Sequence, residues 1–168
     1  MRRMPDKRYW LMKSEPDVFS IQDLRLRPGG VGGWDGVRNY QARNFMREMA
    51  VGDGVLFYHS NADPPGVAGL AEVAKTAYPD PTQFDPKDGH HEPRATRENP
   101  VWYQVDVRFV RAFARLLPLD ELRKAPALAG MALFKRSRLS VQPVTPAEWK
   151  EISALALRSL PRRIDPRS

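Results

Sequence analysis

Trp34-Asp35-Gly36-Val37-Arg38-Asn39-Tyr40-Gln41-Ala42-Arg43-Asn44 runs without a break into Phe45-Met46-Arg47-Glu48-Met49 and a glycine turn. Its second half has helical spacing. Ala42, Phe45, Met46 and Met49 fall at i, i+3, i+4 and i+7, one apolar stripe that must pack on something. Asn39 stands where an N-cap belongs, its side-chain oxygen able to take a free N–H of the first turn. The first half resists helix, because Asp35-Gly36 is a turn dipeptide. A tryptophan, a turn and several side-chain amides therefore gather where a helix exposes unpaired donors. That combination builds a small polar pocket with an aromatic wall. A second reading fits the same residues, with Trp34 in the core and Asn39 acting only as a cap.

Upstream, Tyr9-Trp10-Leu11-Met12 is a short apolar strand suited to the middle of a sheet. It ends in Lys13-Ser14-Glu15-Pro16, three functional side chains and a proline that stops it. Ser20-Ile21-Gln22-Asp23 has the form of a capping box opening a helix through Leu24. Pro28 to Gly33 reads as a flexible loop delivering Trp34; its glycines fit neither a phosphate-binding loop nor a dinucleotide fingerprint.

Downstream, Val55-Leu56-Phe57-Tyr58 is a strand closing on His59-Ser60-Asn61, and Val67 to Lys75 is another, rich in small residues. Thr76 to Pro100 is proline- and charge-rich. Its Tyr78-Pro79-Asp80-Pro81-Thr82 and Phe84-Asp85-Pro86 suggest order, and Lys87 to Glu98 suggests mobility. From Trp102 to Val110, Tyr103, Val105, Val107 and Phe109 alternate with Gln104, Asp106 and Arg108, a strand with one wet face. A short helix is expected from Pro118 to Lys124 and a last strand from Arg138 to Val144, its Pro143 favouring an edge. Thr145-Pro146-Ala147-Glu148 opens a final helix with a cap, a proline at its first position and a glutamate at its third. Short helices between five or six strands, without βαβ alternation, predict an α+β fold, mainly β: an irregular β-barrel with short peripheral helices.

The chain has 168 residues, one domain's worth, and no cysteine, which excludes disulfides and thiol nucleophiles. No apolar run is long enough to span a bilayer, and a cytoplasmic location follows by default. The net charge of +7 is unevenly spread. Residues 1–8 and 158–168 each carry four cations against one aspartate and are expected to be flexible basic tails flanking a domain at 9–157. Within that domain, Arg108 to Arg138 concentrates basic side chains. Such a distribution suits a polyanion held by salt-sensitive phosphate contacts; solvated faces give the same pattern.

Tyr9-Trp10-Leu11-Met12-Lys13-Ser14-Glu15-Pro16, the Trp34–Asn44 stretch, Phe57-Tyr58-His59-Ser60-Asn61, Tyr78-Pro79-Asp80-Pro81-Thr82 and Arg138-Leu139-Ser140-Val141-Gln142-Pro143-Val144 together resemble the EVE domain, a family of the PUA-like superfamily. The resemblance spans roughly Arg8 to Leu155. It implies a PUA-like barrel and a pocket for a modified nucleobase such as methylated or hydroxymethylated cytosine, flipped from DNA or RNA. In such a pocket Trp34 would stack on the base and Tyr58 form a second wall or donate its hydroxyl. Ser14, Asn39, Ser60, Ser140 and Gln142 would compete for the base edge, and Glu15 could accept from an exocyclic amine. Lys13, His59, Arg136 and Arg138 would shape the rim or meet phosphate. No catalytic residue, metal or cofactor is expected, and the protein should be a monomer away from membranes.

Two other classes compete. A hydrolase could use Ser14, but strand neighbours point to opposite faces, so Lys13 is badly placed as its base. His90-His91-Glu92 lacks a third metal ligand at useful spacing. A protein-interaction module could use the proline-rich Tyr78 to Pro86 loop as its surface.

Overall fold

The structure, a computed structural model, describes residues 6–158, so the predicted basic tails lie outside the described residues at 1–5 and 159–168. Its frame is a six-stranded mixed sheet built outward from β1 (Tyr9–Ser14). This strand pairs in parallel with β3 (Gly54–His59) and antiparallel with β6 (Val141–Val144). β4 (Gly66–Pro79), β5 (Tyr103–Pro118) and β2 (Val31–Gly33) continue the sheet, in the order β2-β5-β4-β3-β1-β6. β2 and β6 are its two edges and do not pair with each other, so the expected barrel is an unclosed one. Pro143 sits on the β6 edge as predicted.

The unbroken apolar run of β1 follows from its place. Trp10 and Met12 join a core on one face with Val55 and Phe57 of β3, while Leu11 joins a second core on the other with Leu56. A strand buried on both sides reads as continuous rather than alternating. Each such side chain, fully removed from water, contributes roughly 1.5–3 kcal/mol. α1 (Ile21–Leu26) and α2 (Tyr40–Glu48) cover the first face through Ile21, Leu24, Ala42 and Met46. α3 (Leu119–Arg123), α4 (Ala132–Lys135) and α5 (Pro146–Arg158) cover the second through Leu122, Leu133 and Ile152.

The predicted caps form. Ser20 and Asp23 close a reciprocal capping box, Thr145 and Glu148 another, and Asn39 Oδ1 accepts from the Ala42 amide at 2.9 Å. Buried Asp53 then ties β1 to the turn before β3: it accepts from the Trp10 indole N–H at 3.0 Å and from the Arg8 and Ala50 amides.

The glycine loop and the charged loop depart from the sequence reading. The glycine loop contains strand β2, which exists only through its ladder to β5, Val31 facing Arg108. Lys87 to Glu98, expected to be mobile, is fastened at its middle, the Glu92 amide donating to the Gln83 carbonyl and the His90 carbonyl accepting from Arg38.

Candidate nucleic-acid interface

At the C-terminal end of β1 four segments meet around a cavity of about 430 Å³, within the usual range for a small-molecule site. Lys13 and Ser14 come from the strand end and Ser140 from the approach to β6. Val18 and Phe19 come from the turn into α1. The Gly33–Arg38 stretch supplies the remaining wall, including Trp34 and Asp35. Another concavity, about 360 Å³ between Tyr9 and Pro143–Pro146, has its acid Glu148 already used in capping α5.

The aromatic wall is braced from behind. Trp34 meets Phe57 edge-on with centroids 5.1 Å apart and Phe19 edge-on at 6.0 Å. Its indole is only 6 % exposed, so it gives the cavity a strip and not an open shelf. Phe19, half-buried, is the more accessible ring, and the Arg27 guanidinium lies 5.3 Å from its centroid. The polar wall has one hydroxyl already committed: Ser14 Oγ donates to the Phe19 carbonyl at 2.7 Å and keeps only its lone pairs to offer. Lys13 donates to the Ser137 carbonyl at 2.8 Å, and burial lowers its ammonium pKa. Asp35 makes no hydrogen bond among the described residues. Partial burial raises its carboxyl pKa and the charge of Asp80 adds to this, against the pull of His90 and Arg38.

The turn that carries Trp34 and Asp35 is fixed from the long loop. Gly36, at φ +80°, donates its amide to Asp80 at 2.8 Å. Arg38 donates to Asp80 at 3.0 Å, to Thr82 at 2.9 Å and twice to the His90 carbonyl. Burial alone would raise the Asp80 carboxyl; hydrogen bonds from Thr82, Gly36 and Arg38 outweigh it and hold the pKa below its ordinary value. The Tyr78 to Pro86 loop thus turns Asp80 and Gln83 inward and leaves Pro79, Pro81, Asp85 and Pro86 exposed.

Of the predicted pocket residues, Ser14, Trp34 and Ser140 come together on the cavity, with Lys13 at its rim. The others go elsewhere, each for a physical reason. Tyr58, 3 % exposed, lies in the core on the opposite face of the sheet, because Phe57 and His59 take the near face. Burial pushes its phenol pKa up. Gln142 is fully buried, its amide donating to the Arg136 and Leu139 carbonyls. Ser60 contributes its backbone, donating to the Ser14 carbonyl at 3.0 Å. Glu15 accepts from Asn61 at 3.0 Å instead of facing a ligand. Asn39, Arg136 and Arg138 line a separate groove next door.

His59 is engaged inside the protein. Its Nε2 accepts from the Ile21 amide at 3.1 Å, so the ring is neutral there and anchors the start of α1. Burial lowers its pKa, against a smaller upward pull from Asp23. An unfolded chain takes this proton below about pH 6.5, whereas the folded protein resists until lower pH. The stabilisation is therefore complete above about pH 6.5 and is lost as pH falls through the folded pKa. His59→Gln, which keeps an acceptor in place, is expected to flatten that dependence; denaturation midpoints at pH 7.5 and 5 for both proteins check it. An identical acid loss in the variant would assign the effect to other groups.

Phe19, Asp35, Arg38 and Asp80 were not singled out by the sequence. Phe19 had a signal, since an apolar residue just before a capping serine often staples to the fourth helical position, here Leu24. Asp35 had none beyond its turn.

An open mixed sheet with helices on both faces and a cavity of about 430 Å³ at its strand ends marks a small α+β domain. The chain belongs to the EVE domain family, whose model matches residues 8–155. It is 49% identical to thymocyte nuclear protein 1 of Danio rerio, an alignment covering 90% of this chain and 73% of that protein. Among solved structures, a hypothetical protein from Leishmania major superposes with a TM-score of 0.89 at 51% identity, covering 93% of this chain and 98% of that one. Human THYN1, solved in complex with 5-methylcytosine-containing DNA, superposes with a TM-score of 0.85 at 45% identity, covering 95% of this chain and 100% of that one. A YTH domain from Zygosaccharomyces rouxii shares the fold alone, at 14% identity and a TM-score of 0.57. No helix among the described residues is long and apolar enough to cross a membrane.

Proposed function

We propose that this protein is a non-catalytic reader that takes a methylated cytosine, turned out of a nucleic-acid strand, into the cavity beside Trp34. The observation that carries the reading is the lining itself: Trp34 and Phe19 share one cavity with Asp35, an exposed carboxylate with no protein hydrogen bond among the described residues. Cytosine presents an exocyclic amine as its donor, and a carboxylate is its natural acceptor. Ser140 and the lone pairs of Ser14 stand near to complete the edge, and the Lys13 ammonium suits a carbonyl oxygen or the sugar-phosphate. The human relative solved with 5-methylcytosine DNA supports the choice of base.

Magnitudes set what selectivity to expect. Flipping the base costs a few kcal/mol, which stacking at roughly 1–3 kcal/mol and phosphate contacts can offset. A buried methyl adds only about 0.8 kcal/mol, near fourfold in affinity. Preference for methylated strands should therefore be modest unless the unmodified base fails to order. Binding is favoured over hydrolysis because the Ser14 hydroxyl is spent on the Phe19 carbonyl, and its ladder partner His59 has its Nε2 occupied by the Ile21 amide. The reading calls for a monomer in a compartment that holds nucleic acid, cytoplasmic where the cell has no nucleus; the animal relatives carry a nuclear name.

The test is a titration of labelled DNA and RNA strands carrying cytosine, 5-methylcytosine or 5-hydroxymethylcytosine at one position. Equal affinity for all of them would remove the cavity's preference for the modified base. Asp35→Ala is expected to weaken binding of the methylated strand by about 10–100-fold, the loss of one hydrogen bond to a charged group at roughly 1.5–3 kcal/mol. Unchanged affinity in that variant would mean that the carboxylate faces solvent in the complex.

A further inference from the structure

Beside the base cavity opens a groove of about 270 Å³, between Asn39 at the start of α2 and the Lys135–Leu139 segment. The two are neighbours through the chain itself. Arg38 and Ser140 line the cavity while Asn39 and Leu139 line the groove, and cavity residue Lys13 reaches across to the Ser137 carbonyl. Both are basic, but only the cavity holds an acid: Asp35 stands there among Lys13, Arg27 and Arg38, whereas the groove is lined by Lys135, Arg136 and Arg138. Among the described residues none of these three is ion-paired with a carboxylate. Arg136 turns instead to the neutral Gln41 side chain. All three are exposed, and the positive end of the α2 dipole adds to their field. Three uncompensated cations converging on one concavity call for an anion, and the anion nearest to any base held next door is its own backbone.

We propose that this groove binds the phosphodiester flanking the flipped nucleotide, so that one nucleotide is gripped at two places. The inference rests on the reading of the cavity as a base site and adds a division of labour to it. Phosphate contacts position and strengthen without reading sequence, so the groove sets affinity and its salt dependence. The cavity alone sets the preference for the modified base.

The experiment uses the full chain and a Lys135→Gln/Arg138→Gln double variant, both exposed positions whose replacement spares the core. Each is titrated with a cytosine and a 5-methylcytosine duplex at several salt concentrations. The expected result is an equal fall in affinity for the two duplexes, at least tenfold at low salt, with the slope of log affinity against log salt reduced by about 2. An unchanged slope overturns the groove as a phosphate site. A changed ratio between the two duplexes overturns the division of labour. If the unmutated protein itself shows no methyl preference, the base reading fails, and the change in salt slope still decides the groove independently.

Discussion

Asp80→Ala is expected to remove about 3 kcal/mol of folding stability and, with it, the base cavity. The carboxylate is fully buried and accepts four hydrogen bonds, from the Gly36 amide, Arg38, the Thr82 amide and the Thr82 hydroxyl, at 2.6–3.0 Å. Removing it leaves a buried N–H at Gly36 and a guanidinium without its counter-ion. Breaking a buried pair costs about 3–5 kcal/mol, and the Arg38 side chain, 22 % exposed, draws in enough water to keep the loss near the lower end. Asp80→Asn should do little better, since its NH₂ would face either the Gly36 or the Thr82 donors. The linkage has a definite sign. With its folded pKa depressed, Asp80 stabilises fully above the unfolded value near 3.9 and loses that contribution as pH falls through the folded value. Urea midpoints, together with hydrogen exchange at the Gly36 amide, check the prediction. A loss under 1 kcal/mol with Gly36 still protected would mean that the turn holds itself.

Asp80 also shows where the sequence was legible and where it was not. Caps at Ser20, Asn39 and Thr145 could be read because each depends on a residue and its partner three positions on, and local chemistry decides them. The two-sided burial of Tyr9 to Met12 could be read from its unbroken apolarity. β2 could not: Val31-Gly32-Gly33 has no side-chain pattern, and only pairing with β5 makes it a strand. The strand from Tyr103 was expected to stop at Val110 and runs to Pro118. Register shifts against β4 break its alternation there. At the site, Tyr58 and His59 were both expected near the ligand, although period two sends strand neighbours to opposite faces. That error was avoidable. Asp80 was not recoverable, because an acid between two prolines reads as a solvated turn until Gly36 and Arg38, more than forty positions earlier, are brought onto it.

Trp34→Ala should fail for a reason different from the loss of a stacking shelf. The indole is packed against Phe19 and Phe57 within the upper core, and truncating a buried tryptophan costs about 3–5 kcal/mol. Much of the protein would be unfolded or loosened before any ligand arrived, so lost binding in that variant alone says little about the base. Trp34→Phe separates the two roles. It keeps an apolar wall and leaves a void on the order of 50 Å³, worth about 1 kcal/mol at roughly 24 cal/mol per Å³. The folded variant should then bind a 5-methylcytosine strand about fivefold more weakly, the low end of a stacking contribution, since only a strip of the indole meets the cavity. Phe19→Ala, at the more accessible ring, should weaken binding more than Trp34→Phe while costing less stability than Trp34→Ala. Thermal denaturation and anisotropy titration of the three variants rank the effects. If Trp34→Ala melts with the unmutated protein yet no longer binds, the indole is an open platform after all and its packing against Phe57 is incidental. If Trp34→Phe and Phe19→Ala both bind at full strength, neither ring touches the base, and recognition falls to Asp35 and the hydroxyls alone.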